Sequence, residues 1–510
     1  MGIESDAGAR LIALRGLGKE YPGVRALDDV SFDIAPGSVH ALVGENGAGK
    51  STLIKLIAGA MRPSAGEIEI DGRPHAALTP RSARALGIRL VAQERQSCGD
   101  LTVTENVLLG RIPTRGGAYG PVSYGRAHSE ARERLEEIGL DVDPRRRMRE
   151  LSVAQVQLVE IARALSASAR LVIMDEPTAA MSGADVRVLF GVIAKLRARG
   201  VSFLYVSHHL EEIFELADTV TVLRDGRHVT TQPLEGLDMD RLVELLLGHK
   251  PETLDVAQRE SRPSETILEV VDAHKKPGLR GVGLRVRAGE VLAVTGGIGS
   301  GRRELARCVA GIEQPEAGEV RLAGGARLRN PRQAIRHGIA FLPEDRKYEG
   351  VLADLDVVDN VGIGRRAAQR SMLDLPGRRR RDAAEMVARL RVKTPSLRQA
   401  VRLLSGGNQQ KMLLGRWLNV GIRVLVLDAP TEGVDIGSRL EIYGFLRDLS
   451  DAGVAVVIFS SDFEEVRLVA DRAVVLRRGR VAGELSSGEI TEERLYTLEY
   501  GTPPEGVKAA

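Results

Sequence analysis

Short, nearly unbroken aliphatic runs punctuate the chain, among them LVIMD (171–175), VSFLYVS (201–207) and VAVVIF (454–459). A strand with one wet face would alternate apolar and polar residues, whereas continuous runs suit a parallel sheet covered on both sides. Helical segments separate the runs, so the pattern predicts an α/β fold with strands in the middle and helices around them. Each half reads as β-rich segments, a glycine loop, a helix, a mostly helical insert, another helix and then buried strands.

That order occurs twice. LSVAQVQLVEIARAL at 151–165 returns as LSGGNQQKMLLGRWL at 404–418, GIRLVAQER at 87 as GIAFLPEDR at 338, TVTENVLLG at 102 as DVVDNVGIG at 356, and FLYVSHHLEEI at 203 as VVIFSSDFEEV at 456. The spacing holds between 251 and 254 positions, which marks a duplicated domain rather than scattered matches. Domains are predicted over 8–248 and 267–502. The stretch HKPETLDVAQRESRPSET, 249–266, is polar, holds two prolines and lacks periodicity, and so reads as the linker. A chain of 510 residues is too long for one core and agrees with two.

Composition narrows the picture. At 43% hydrophobic and only 3% aromatic residues, the cores must be packed with aliphatic side chains, as in a soluble globular protein. Cys98 and Cys308 are too few for a disulfide framework or a cysteine metal cluster. No apolar run reaches membrane-spanning length, and MGIESDAGAR lacks an apolar signal core, so a cytoplasmic location is expected. Any membrane partner must do the spanning. Net charge is +3; the clusters Arg145–Arg147 and Arg378–Arg381 read as solvated helix ends, and without interleaved aromatics no nucleic-acid partner is expected.

The chemistry is concentrated in ALVGENGAGKST, 41–52, which satisfies G-x-x-x-x-G-K-[ST] between an apolar strand and a helix-forming segment. Gly44, Glu45, Asn46, Gly47, Ala48 and Gly49 form a loop whose backbone N–H groups can turn toward phosphate oxygens, with a helix N-terminus behind them. Lys50 can then bridge the β and γ phosphates, Ser51 can offer its hydroxyl to Mg²⁺, and Thr52 follows in the same turn. Asp175 ends the strand LVIMD, where open α/β sheets place ligand groups. It is expected to hold Mg²⁺, and Glu176 beside it to polarise an attacking water. Gln93, at the end of GIRLVAQ, can touch both the metal and the water. Of the pair after VSFLYVS, His208 is expected to contact the γ-phosphate and orient the water, and His209 to be a surface residue.

Together, GENGAGKS, LSGGNQQK, the DEPT stretch and the histidine after YVS resemble the ATP-binding subunits of ABC transporters. The resemblance extends over almost the whole chain and implies two tandem P-loop domains of ABC type, each with a mostly parallel core sheet, an antiparallel β part and a helical subdomain. It implies that Tyr21 stacks on adenine, that ATP and Mg²⁺ are bound, and that the chain sits peripherally on the cytoplasmic face of the membrane. Its partners would be separate membrane-spanning permease subunits and, indirectly, an extracytoplasmic sugar-binding protein. Two domains in one chain, arginine in the second phosphate loop and PEDRKYEG (343–350) are similar to the monosaccharide importers, whereas nucleoside importers usually carry glutamine in place of Arg302. The resemblance further implies that Ser405, Gly406 and Gly407 complete the ATP site of the first loop. Docking to the permease is expected near Gln93 and the insert from Arg95 to about Arg126.

The second site, GGIGSGRR (296–303) with LSVAQ (151–155), is degenerate. Arg302 replaces the lysine, Arg303 the metal-binding hydroxyl, Glu344 the glutamine, Ala429 the carboxylate and Ser461 the histidine, while Val153 and Ala154 stand in for glycines. General-base assistance contributes about 10²–10⁴-fold, so the loss at 429 alone predicts a nearly silent site. A soluble twin ATPase acting on ribosomes or DNA is the rival reading. It is disfavoured because the linker is proline-broken rather than a long charged helical arm, and because two cysteines cannot supply the zinc sites of excision-repair ATPases.

Overall fold

A computed structural model describes residues 10–21, 24–92, 96–115, 120–165, 169–178, 181, 183–207, 209–249, 265–297, 299–368 and 376–501. The chain divides into two compact units, Met1–Pro251 and Glu252–Ala510.

In the first unit a six-stranded sheet runs in the spatial order Ile88–Val91, Leu171–Asp175, Ser202–Val206, Val39–Val43, Thr219–Arg224 and Arg227–Pro233. Its first five strands are parallel and the last pairs antiparallel. The second unit repeats that order with Ile339–Leu342, Val424–Asp428, Ala455–Phe459, Val291–Thr295, Arg472–Arg477 and Arg480–Ser486. In each, the strand that feeds the glycine loop lies inside the sheet and is hydrogen-bonded on both edges, which is the burial that the continuous apolar runs predicted.

A smaller antiparallel sheet covers one face. In the first unit it is built from Ile12–Tyr21, Val24–Ile34, Ala65–Ile70 and Arg73–His75; in the second, from Thr266–Lys275, Leu279–Arg287 and Ala317–Leu322. Between the two sheets of the first unit lies the helix Lys50–Ile57, whose Leu53, Ile54, Leu56 and Ile57 pack with Leu14, Ile34, Leu42, Ile173 and Leu204. Each such side chain contributes about 1.5–3 kcal/mol on burial, so the glycine loop hangs from a helix that is firmly anchored.

Strand alternation assigns the two faces of the second unit. Val424 and Val426 point with Leu292, Val294 and Val457 to the antiparallel side, and Leu425 and Leu427 point with Val456 and Ile458 to the helical side. There they meet Met412 and Leu413 of the helix Gly406–Gly415, and Ile442, Tyr443 and Leu446 of the helix Ile436–Asp451. The core is almost wholly aliphatic, as the composition required. Among the described residues no helix is long and apolar enough to cross a membrane.

Candidate functional site

The first glycine loop is fixed at its two ends. A Cβ on Gly44 would stand 2.4 Å from the carbonyl oxygen of Leu223, and one on Gly49 would stand 2.7 Å from that of Ala26. Gly49 also takes φ of 98° as it caps the helix, a conformation that glycine adopts without penalty. Between them Asn46 and Gly47 are exposed, Glu45 is half-buried and Ala48 is buried, with the Ala48 N–H donating to the Glu45 carbonyl at 3.0 Å. Lys50 is buried at 8% exposure and folds back, donating from Nζ to the carbonyls of Gly44 and Glu45. Ser51 is exposed at the first turn, and Thr52 beside it is half-buried.

Strand register brings the acidic pair to the same place. Leu42 pairs with Val206, and Asp175 pairs with Val206 from the other side. The Glu176 N–H donates to the Val206 carbonyl at 2.9 Å, so the strand end and the segment after Val206 are stitched together. To make that contact Glu176 adopts φ of 48°, a left-handed conformation costing about 1–2 kcal/mol in a residue with a Cβ. Burial pushes the Asp175 carboxyl up to about 6, the Glu176 carboxylate adds to the rise, and Lys50 and Lys55 oppose it. Two crowded carboxyls are hard oxygen donors and suit Mg²⁺, and the exposed Ser51 hydroxyl at the start of the helix is a further oxygen. Asp175 and Ser51 would hold the ion.

Tyr21 lies at the end of its strand, 40% exposed, with its hydroxyl 3.0 Å from Met61 Sδ and its ring 5.5 Å from Lys19 Nζ. Gln93, Arg95 and His208 lie outside the described residues, as do 116–119 of the expected docking insert and most of the expected linker. His209 is half-buried at the N-cap position of the helix Leu210–Leu216, where its side chain makes no cap and its N–H donates to Ser207 Oγ at 3.0 Å.

One residue that the sequence did not single out holds this segment. Glu212 accepts from Tyr205 Oη at 2.8 Å and from Ser207 Oγ at 2.7 Å, so a single carboxylate pins the strand and the turn that follow it. Glu465 does the same work in the second unit: fully buried, it accepts from Thr431 Oγ1 at 2.7 Å, while Asp462 N–H donates to Ser460 Oγ at 3.1 Å. Burial pushes the Glu465 carboxyl up. The signal was present in the repeat, where glutamate persists at both positions although the histidine does not. Glu212→Ala is expected to lower ATP turnover by up to about 10²-fold through misplacement of the 207–209 segment. Its KM for ATP should change little and Glu212→Gln should recover part of the loss, as steady-state phosphate release will measure.

In the second unit Ser405, Gly406 and Gly407 open the helix Gly406–Gly415. Ser405 makes no side-chain cap; its Oγ accepts instead from Asn408 Nδ2 at 2.8 Å, which leaves the first amides of the helix without a side-chain cap. Gly407 has no room for a side chain, since a Cβ would stand 2.4 Å from Ser438 Oγ and 2.7 Å from its Cβ, while a Cβ on Gly406 would meet the movable guanidinium of Arg346 at 2.6 Å. Arg346 also donates to the carbonyls of Glu432 at 3.1 Å and Gly433 at 3.4 Å. Ser152 behaves differently. It caps its own helix, Val153–Ala164, in a reciprocal box with Gln155, and Ala154 behind it is buried.

The second glycine loop keeps the backbone and changes the chemistry. A Cβ on Gly296 would meet the Leu476 carbonyl at 2.5 Å and one on Gly301 the Gly278 carbonyl at 2.4 Å. Asp428 pairs with Phe459, the Ala429 N–H donates to the Phe459 carbonyl at 2.8 Å, and Ala429 keeps φ of 45°. Burial pushes the Asp428 carboxyl up to about 7, Glu344 adds to the rise, and Arg302, Arg303 and Arg307 oppose it. Arg303 lies 3.8 Å from Glu344 and 3.7 Å from Glu349, and Ser461 is exposed. With a guanidinium already balancing the acidic groups, this donor set does not fit Mg²⁺.

The family model for ABC transporters matches residues 27–179 and again 279–432. The chain is 45% identical over 492 residues to the ribose import ATP-binding protein RbsA 1 of Rubrobacter xylanophilus, covering 96% of this chain and 97% of that one. It is 43% identical to a putative ribose/galactose/methyl galactoside import ATP-binding protein of Burkholderia cenocepacia, covering 96% of each. It is 44% identical to the arabinose import ATP-binding protein AraG of Chromohalobacter salexigens, covering 95% of this chain and 97% of that one. With two matches to one family model and relatives aligned over nearly their whole length, the chain belongs to the ABC transporter family as a tandem pair of its ATP-binding domains.

Proposed function

We propose that the chain powers uptake of a monosaccharide through separate membrane-spanning permease subunits, bound peripherally at the cytoplasmic face, and that only one of its two ATP sites turns over. The observation that carries this reading is the contrast between Glu176 and Ala429, which occupy the same left-handed position on equivalent strand ends with and without a carboxylate.

At the first site the loop amides and Lys50 bind and orient the phosphates, and Glu176 accepts the proton of the attacking water. Mg²⁺, when bound, neutralises charge on the phosphates. Ser405 to Gly407 offer a further phosphate-binding segment, since the helix they open has no side-chain cap on its first amides. In this reading the metal and water are assigned to Gln93, the γ-phosphate to His208 and the adenine to Tyr21. The second site holds nucleotide without cleaving it. Closure around ATP drives the permease, and hydrolysis at the first site releases it. The import of ribose, galactose and arabinose named for the relatives supports a sugar as cargo, reaching the permease from an extracytoplasmic binding protein.

Affinity purification from native membranes tests the reading. A co-purifying chain rich in membrane helices, together with ATP turnover that rises when a sugar-loaded receptor is added in vesicles, is the expected result. Recovery of ribosomal RNA or DNA with the chain instead would overturn it.

A further inference from the structure

The second loop is not a ruin of the first. Its backbone cradle is retained at both ends: Gly301 takes φ of 93°, and the Ser300 N–H donates to the Gly297 carbonyl at 3.0 Å, matching Ala48 and Glu45 in the first loop. The helix behind it, Arg302–Val309, is anchored by fully buried Leu305, Ala306 and Val309.

What surrounds the cradle is polar and unfinished. Asp428 is 2% exposed, and its Oδ1 has no hydrogen-bond partner; Ser300, 5% exposed, has an orphaned Oγ lying 2.7 Å from where a Cβ on Gly296 would be; Arg302 Nη1 is likewise buried and unpartnered. Buried polar atoms are ordinarily paired, so orphaned donors and acceptors together at one loop mark the place of a polar guest. At the outer end of the loop Glu499 accepts from the Gly297 N–H; burial pushes its carboxyl up, and Tyr500 and Arg302 oppose the rise.

The cation that the first loop must recruit is built into the second. Arg303 replaces the metal-binding hydroxyl and sits with Glu344 and Glu349, while Arg307 pairs with Glu349 at 2.9 Å and Glu313 at 2.7 Å. Guanidinium groups are permanently charged and match phosphate geometry in two-pronged fashion.

We propose that the second loop is a metal-independent phosphate site, which takes a nucleoside di- or triphosphate on its amides, Arg302 and Arg303, with the Arg303 guanidinium in the role that Mg²⁺ has at the first loop. This rests on the reading that the second loop still holds nucleotide. A fluorescent N-methylanthraniloyl-ADP titration of the full chain tests it with excess Mg²⁺ and with excess EDTA. Two molecules should bind per chain with Mg²⁺ and one should survive EDTA. In Lys50→Ala the remaining affinity should be the same in both buffers, and adding Arg303→Ser should weaken it about tenfold in EDTA with recovery on adding Mg²⁺. Loss of all binding to the parent chain in EDTA, with two molecules bound in Mg²⁺, overturns metal independence. A single molecule bound in Mg²⁺ that Lys50→Ala abolishes overturns instead the reading that the second loop holds nucleotide, and the proposal with it.

Discussion

A chain carrying Glu176→Gln is expected to bind ATP as the parent does and to hydrolyse it about 10²–10⁴ times more slowly, the range that a positioned general base contributes. That is about 3–5 kcal/mol of barrier. Glutamine has the shape of glutamate, and the backbone contact from residue 176 to the Val206 carbonyl does not involve the side chain, so the fold and the left-handed turn should persist. What disappears is the group able to accept a proton from water. The second unit cannot compensate, since alanine stands at 429. Phosphate release in the steady state, with a parallel nucleotide titration, separates the two effects. Turnover within about twofold of the parent would show that no transition-state interaction had been removed and that the catalytic group lies elsewhere.

The second large effect is expected from Lys50→Ala, and it should fall on binding. The ammonium is held against the carbonyls of Gly44 and Glu45, which keeps a charge at the mouth of the loop before any phosphate arrives. A charge-assisted hydrogen bond contributes about 1.5–3 kcal/mol, so loss of the phosphate contacts should weaken ATP binding at this loop by about tenfold to a few hundredfold. Thermal stability should change little, because the helix keeps its apolar anchors. Lys50→Arg should keep more of the binding than Lys50→Ala, since a guanidinium, Arg302, stands at the equivalent position of a second loop whose ends are held as tightly. An unchanged Kd at the first loop, read by calorimetry, would remove Lys50 from the site.

Much of this was legible before any coordinates. The repeat spacing fixed which positions correspond, and a glycine loop between an apolar strand and a helix can be read because its conformational demands are local. The strand order was not legible. Periodicity reports whether a strand is buried but not which neighbours it pairs with, so the placement of Val39–Val43 between Ser202–Val206 and Thr219–Arg224 came only from the structure. Glu212 was passed over for a similar reason. An acidic residue in the first turn of a helix ordinarily complements the helix dipole, and its hold on Tyr205 and Ser207 depends on how that turn leaves the strand. The tie from Arg346 to Glu432 and Gly433 spans more than eighty positions and leaves no local trace. The self-capping of Ser152 could have been found, since S-x-x-Q at 152–155 is a helix-start signature.

Ala429 has a wider bearing. It takes φ of 45° against 48° for Glu176 although its side chain carries no carboxylate, so that torsion answers to the join between strand and turn rather than to the side chain's chemistry. The two halves share the architectural constraint and differ in the chemical group placed on it. Tension in a protein backbone is therefore a record of how the scaffold is built, and a strand end can bear it with or without a reactive side chain.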